Sequence, residues 1–280
     1  MLAQWIEDDA KETAAIRPFF ALKKSLAVVV AGMFFLSAVA AAQGHANGHA
    51  SDPSHSWSYS GPTGPEHWGD LSPEFAACKT GKEQSPIDIN HPPNVDLPAI
   101  RINSRPVPLK IINTGHYIRQ NYVPGNGNTI TVGDQTYELT QFHFHHPGEE
   151  TINGKHYDMV VHLVYQNKEG HYAVIAVLIK EGHPNPLIAT LWNNLPPEMD
   201  KEHDSDAVQV NAIQLIPAKR SYYKYEGSLT TPPCTEGIVF FVLDTPMSLS
   251  KEQIATFAKY YPDNARPVQP LNGRTVQHSK

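Results

Sequence analysis

A single β-dominated domain with a few minor helices is what this sequence predicts for its residues 57–280. Three observations carry that reading. Short runs rich in Val, Ile, Phe and Tyr recur along the chain, turn signals separate them, and only two stretches have helical spacing. In chain order the strand-like runs are "PLKIINT", "TITVG", "YELTQFHFH", "DMVVHLVYQ", "YAVIAVLIK" and "GIVFFVLD". Pro124-Gly125-Asn126-Gly127, Gly133-Asp134 and Asn153-Gly154 supply turns, because Gly and Asn accept the positive φ that tight turns require. The helical stretches are "PLIATLWNNLP" and "SKEQIATFAKYY". In the second, Ser250 is placed as N-cap, and Ile254, Phe257, Ala258 and Tyr261 share one face. No internal repeat and no second linker interrupts the stretch.

Composition narrows the function. The chain has 280 residues, 40% hydrophobic and 18% charged, as a folded protein does. Its net charge is −6 with no basic block, which argues against nucleic acid, since phosphates need clustered Lys and Arg. Residues 1–42 read as an N-terminal extension and signal peptide. Lys23 and Lys24 precede an apolar run from Leu26, and Ala40-Ala41-Ala42 has the small-residue form of a cleavage site. An uncleaved anchor is the alternative. Residues 43–56 read as a flexible linker dotted with His45, His49 and His55, which are solvated or, in the alternative, loose metal binders. An exported chain meets an oxidising compartment, so Cys78 and Cys234 are expected to be bridged, with free thiols as the alternative.

The densest chemistry lies in "QFHFHHPGEE". Strand alternation puts His143 and His145 on one face and Phe142 and Phe144 on the other. A third histidine, His162, follows across an Asn153-Gly154 hairpin. With Ile152 paired to Lys155, the extended register sets His145 opposite His162. A slip of two residues keeps all three imidazoles on the same face. Three imidazoles leave a fourth tetrahedral position open, the mark of a catalytic rather than a structural Zn²⁺.

These segments, with "VVHLV" and "GSLTTPPCTEG", resemble the α-class carbonic anhydrases. "WSYSGPTGPEHWGDL", "QSPIDI", "NTGH" and "NARPVQPLNGR" are also similar to that family and stand in its order, over nearly all of residues 57–274. The resemblance implies a large twisted, mostly antiparallel central sheet with zinc at the base of a conical cleft. It implies reversible hydration of CO2 to bicarbonate by a zinc-activated hydroxide. It assigns His143, His145 and His162 as zinc ligands, and Thr230 with Glu149 as the pair that aims the hydroxide. His116 becomes the proton shuttle, and Val164, Val174, Leu229, Thr230, Thr231 and Ile238 the substrate contacts. Gln141 and the Asn264 carbonyl support His143 and His145, Tyr59 orders cleft waters, and Cys78–Cys234 matches the disulfide of secreted bacterial members. The expected partners are CO2 and bicarbonate, with no nucleic acid, no anchor after leader cleavage, and a homodimer left open. The expected compartment is the periplasm or the exterior.

The chain also departs from the family pattern. A glutamate is usual two residues before the third histidine, and here that position is Val160. Valine accepts no hydrogen bond, so His162 needs a backbone carbonyl, a water or another side chain. Glu150 stands where the family often has His or Asn, Tyr165 where His is common, and Phe240 replaces a tryptophan. Glu150 has no assigned role at this point. A non-catalytic relative typically loses a zinc ligand, whereas this chain keeps all three with Glu149 and Thr230. A zinc buffer built on the histidine-dotted linker is the remaining alternative.

Overall fold

Twelve strands of one large sheet organise the computed structural model, which describes residues 57–196 and 198–280. The expected leader and linker lie outside the described residues. In chain order the strands are β1 (Asn94–Val95), β2 (Arg101–Asn103), β3 (Val107–Asn113), β4 (Ile118–Asn121), β5 (Thr129–Val132) and β6 (Gln135–His145). They continue as β7 (Met159–Gln166), β8 (Tyr172–Glu181), β9 (Glu202–Val210), β10 (Tyr222–Ser228), β11 (Glu236–Leu249) and β12 (Gln277–Ser279). Across the sheet they run β9-β3-β4-β6-β7-β8-β11-β10-β12-β1, with β2 paired to β5 and β5 to β6. Most neighbours are antiparallel; β8 with β11 and β12 with β1 are parallel. The fold is the mostly β, largely antiparallel sheet that the sequence predicts.

Alternation along the central strands divides the molecule. Phe142 and Phe144 of β6, Val161 and Leu163 of β7, and Ile175 and Val177 of β8 join the main core. Two helices cover that face, α3 (Pro186–Asn193) and α4 (Lys251–Tyr260), through Leu187, Ile188, Leu191 and Phe257. Both begin where the sequence provides a cap. The Asn185 side chain accepts from the N–H groups of Leu187 and Ile188. Ser250 and Gln253 form a reciprocal capping box, which satisfies N–H groups that a helix start leaves bare. Two one-turn helices, α1 (Trp68–Leu71) and α2 (Ala77–Thr80), precede the sheet. The Cys78–Cys234 disulfide joins α2 to the approach to β11, with Cα atoms 5.0 Å apart. The sequence-based pairing of the cysteines therefore holds.

The register differs from expectation by two. Asn153 and Gly154 do take positive φ, and Ile152 pairs with Lys155. Yet His162 stands opposite His143, and His145 opposite Val160. The hairpin has left the large sheet: Thr151–Ile152 pairs parallel to Asp88–Ile89 in a separate three-stranded sheet. Residues 146–150 link the two pairings on one side and 157–159 on the other. The two surplus residues sit in the loop that carries Glu149 and Glu150. Because the slip is even, no side chain changes face.

Candidate metal centre

The face opposite the helices carries the three histidines. Each of His143, His145 and His162 offers one ring nitrogen, and the three atoms lie within 4.8 Å of one another. Their rings are held by different elements. The Nδ1–H of His143 donates to Gln141 Oε1 at 2.8 Å, two residues back on β6. The Nδ1–H of His145 donates to the Asn264 carbonyl at 2.7 Å, a contact that spans 119 positions. The His162 ring donates from Nε2 to Glu150 Oε1 at 3.1 Å. These bonds leave Nε2 of His143 and His145 and Nδ1 of His162 as lone pairs facing inward. Donating the second ring N–H to a fixed acceptor is how metal-binding histidines are oriented.

Electrostatics agree with neutral imidazoles at His143 and His145, while His162 is turned the other way by its carboxylates. Burial, with the neighbouring imidazoles and Arg119, holds His143 well below the ordinary histidine range. Burial and His162 do the same for His145, against the pull of the Asn264 carbonyl. Burial alone would also lower His162, but the charge and hydrogen bond of Glu150, with Glu149 beyond, turn its direction upward.

Glu149 is wholly buried in the loop after β6. Its Oε1 accepts from the Arg266 backbone N–H at 2.8 Å. Burial pushes its carboxyl up to about 7; Glu150 adds to this, while His162, the Arg266 N–H and the Thr230 hydroxyl pull the other way. Its Oε2 lies 3.4 Å from His145 Nε2 and 3.8 Å from His162 Nδ1. Among the described residues, His145 Nε2 and Glu149 Oε2 are buried without a hydrogen-bond partner. Orphaned buried atoms of this kind call for an explanation. Three nitrogen donors beside a carboxylate fit a divalent zinc ion, which prefers such nitrogens and an open fourth position.

A cleft of about 700 Å³ opens above His143 and His162. Val164, Val174, Leu229, Thr230, Thr231 and Ile238 all line it, so the structure gathers the expected substrate contacts around the triad. Phe240 adds to the apolar wall. His116 is placed differently. It stacks flat on Trp57, ring centroids 3.7 Å apart, and its carbonyl accepts from Asn264 Nδ2. It is not among the residues that line the cleft. Tyr59 packs edge-on against Trp57 and Trp68, and burial with the charge of Glu149 pushes its hydroxyl well above the usual tyrosine value.

Two residues whose contacts bear on the site escaped the sequence reading. Glu150 is one, and its signal was present: a second buried-loop glutamate beside a third ligand with no acceptor two residues before it. Arg266 is the other. Its guanidinium is buried under Trp68 and donates to Gln84 Oε1 and to the carbonyls of Ser85 and Cys78. Gln84 in turn donates to the Cys234 carbonyl at 3.0 Å. One residue thus joins both halves of the disulfide and, through its backbone, Glu149.

Comparison with known proteins follows the same lines. The family model described as eukaryotic-type carbonic anhydrase matches residues 63–280. A carbonic anhydrase of Pectobacterium carotovorum is 44% identical over 231 residues, covering 82% of this chain and 93% of that one. A Nostoc carbonic anhydrase is 41% identical over 227 residues, covering 79% and 84%. The structure of a hyperthermostable carbonic anhydrase from a hydrothermal vent chimney superposes with a TM-score of 0.76 at 48% identity, over 80% of this chain and all of the other.

Proposed function

The chain belongs to the eukaryotic-type carbonic anhydrase family, and from that premise we propose which of its residues do the work and where it acts. The protein is a zinc-dependent enzyme that interconverts CO2 and bicarbonate. His143, His145 and His162 would hold the zinc, through Nε2, Nε2 and Nδ1. The observation that carries the assignment is the convergence of three oriented ring nitrogens on a buried spot where His145 Nε2 and Glu149 Oε2 lack partners. When bound, zinc supplies a Lewis acid beside which water deprotonates near neutral pH, a property of this enzyme family at large.

The remaining work falls to the protein. The Glu149 carboxylate accepts from the Arg266 N–H, and its proposed second partner is the Thr230 hydroxyl, which pulls its carboxyl down. With its proton committed to a carboxylate, Thr230 has only lone pairs to offer the cleft. It would therefore accept from a hydroxide in the cleft and turn that lone pair toward the apolar wall. Val164, Val174, Leu229 and Ile238 form that wall and suit an apolar CO2 molecule; Thr231 stands at its polar side. Positioning of this kind accounts for large rate factors, and displacement of about 1 Å costs about 100-fold.

His116 relays the product proton to solvent, because imidazole titrates near neutrality. Its stacking on Trp57 fixes the ring. His116→Ala is expected to slow hydration in weak buffer and to recover with added imidazole; unchanged turnover in weak buffer removes the role. Export to the periplasm or exterior is supported by the disulfide; cleavage after Ala42 rests on the small-residue run Ala40-Ala41-Ala42. No helix among the described residues is long and apolar enough to cross a membrane. The deciding experiment measures CO2 hydration and zinc content on one sample of protein, with its N-terminus sequenced. Bound zinc without hydration would overturn the assignment.

A further inference from the structure

We propose that Glu150 is the positioning residue of the third zinc ligand, its carboxylate fixing the His162 ring in place of any group on the strand that carries His162. The proposal rests on the reading of His162 as a ligand. The need arises on β7 itself. On the face of His162 its strand neighbours are Val160 and Val164, both buried in an apolar cluster. Across the ladders it meets His143 on β6 and Ala176 on β8. None of these accepts a hydrogen bond from Nε2. An imidazole in that setting could turn about its side-chain bonds or carry its proton on the wrong nitrogen, and either would remove the lone pair from the metal spot.

Glu150 answers from outside the sheet. It is fully buried, and both its oxygens approach His162 Nε2, at 3.1 and 3.4 Å. A buried carboxylate is costly unless it is paired and hydrogen-bonded, and here the partner is the ring N–H itself. The loop is held so that this reach is fixed. Directly after Glu150, the Thr151 N–H donates to the Ile87 carbonyl, and the Thr151 hydroxyl to Asp88 Oδ1 at 2.6 Å. Asp88 also takes the Gly154 N–H. Directly before it, Glu149 is fixed by the Arg266 N–H. The two extra residues of loop 146–150, which displaced the register, are what bring a carboxylate beneath His162. A carboxylate behind a metal-binding imidazole raises its basicity as well as setting its tautomer.

The test uses Glu150→Gln and Glu150→Ala in the otherwise complete, zinc-loaded protein. Zinc release into excess chelator is expected to quicken about 10–100-fold, with Gln at the lower end because its amide oxygen still accepts. Melting of the zinc-free forms shows whether each variant is folded. If Ala fails to fold, the isosteric Gln variant decides. A readout that general loosening would not imitate is ¹⁵N-histidine NMR. The His162 ring-proton signal should move in Glu150→Gln while those of His143 and His145 stay. Wild-type release rates in the folded variants, or an unmoved His162 signal, would overturn the proposal. A wild-type protein that takes up no zinc would instead refute the ligand reading beneath it.

Discussion

On β6 and β7, side chains one residue apart live under different rules. Phe142, Phe144 and Leu163 face the helices, and their surroundings ask only for apolar volume; Phe144 meets Trp192 at 5.1 Å and Phe257 at 6.1 Å between ring centroids. His143, His145 and His162 face the cleft, and each depends on one particular acceptor: Gln141, the Asn264 carbonyl and Glu150. The helix face is forgiving of chemistry and sensitive to volume. The cleft face is forgiving of volume and sensitive to chemistry. Both faces use the same strands, so the backbone cannot serve one without serving the other.

The widest separation of the two faces should come from neighbouring alanines. His145→Ala is expected to lose zinc and to drop CO2 hydration to the uncatalysed level, while the zinc-free protein melts close to wild type. Phe144→Ala should do the reverse, destabilising by about 3–5 kcal/mol while its folded fraction still takes up zinc. Denaturant melts and zinc analysis of both variants check this, and an active His145→Ala would break the comparison. A smaller effect tests whether the cleft face is stiffened from afar. Replacing Cys78 and Cys234 by Ser should cost about 2–5 kcal/mol, and activity should fall in the still-folded protein, because Cys234 closes the loop that carries Thr230. Unaltered activity at full folding would confine the bridge to stability.

The smallest expected effect concerns a carboxylate outside the site. Burial pushes Asp244 up, but hydrogen bonds from Ser221, His278 and Thr245, with the charge of Lys219, outweigh it and hold it below the ordinary aspartate value. A depressed folded value stabilises the fold above the unfolded value of about 3.9 and ceases to do so as pH falls through the folded one. The stability gap between zinc-free wild type and Asp244→Asn should thus be steady at neutral pH and narrow only below about pH 4. A gap independent of pH down to the acid transition would contradict the pairing.

What the sequence disclosed and what it withheld divide by distance along the chain. The six strand runs, both long helices and the Ser250 cap rest on local spacing, and all are present. Strand β9 was not among the predicted runs because it is mostly exposed and lacks alternation, and β10 was also not singled out. The triad was legible because alternation and an Asn-Gly turn are short-range signals. Its register was not, since pairing of Thr151–Ile152 with Asp88–Ile89 depends on a segment 63 positions away. Arg266 was missed for the same reason, since its partners lie 117 positions and more away. The families of motifs shared with carbonic anhydrases supplied Glu149, Thr230 and the apolar wall, none of which spacing alone distinguishes from loop or core residues.

The tie between His145 and Asn264 also sets a timetable. A ribosome delivers the chain from its N-terminus, so all three histidines exist before the acceptor that orients one of them, 119 residues later, has been made. Arg266, which fixes Glu149, arrives later still. The C-terminal segment is thus made last and is the part of the chain that fixes both the His145 ring and Glu149.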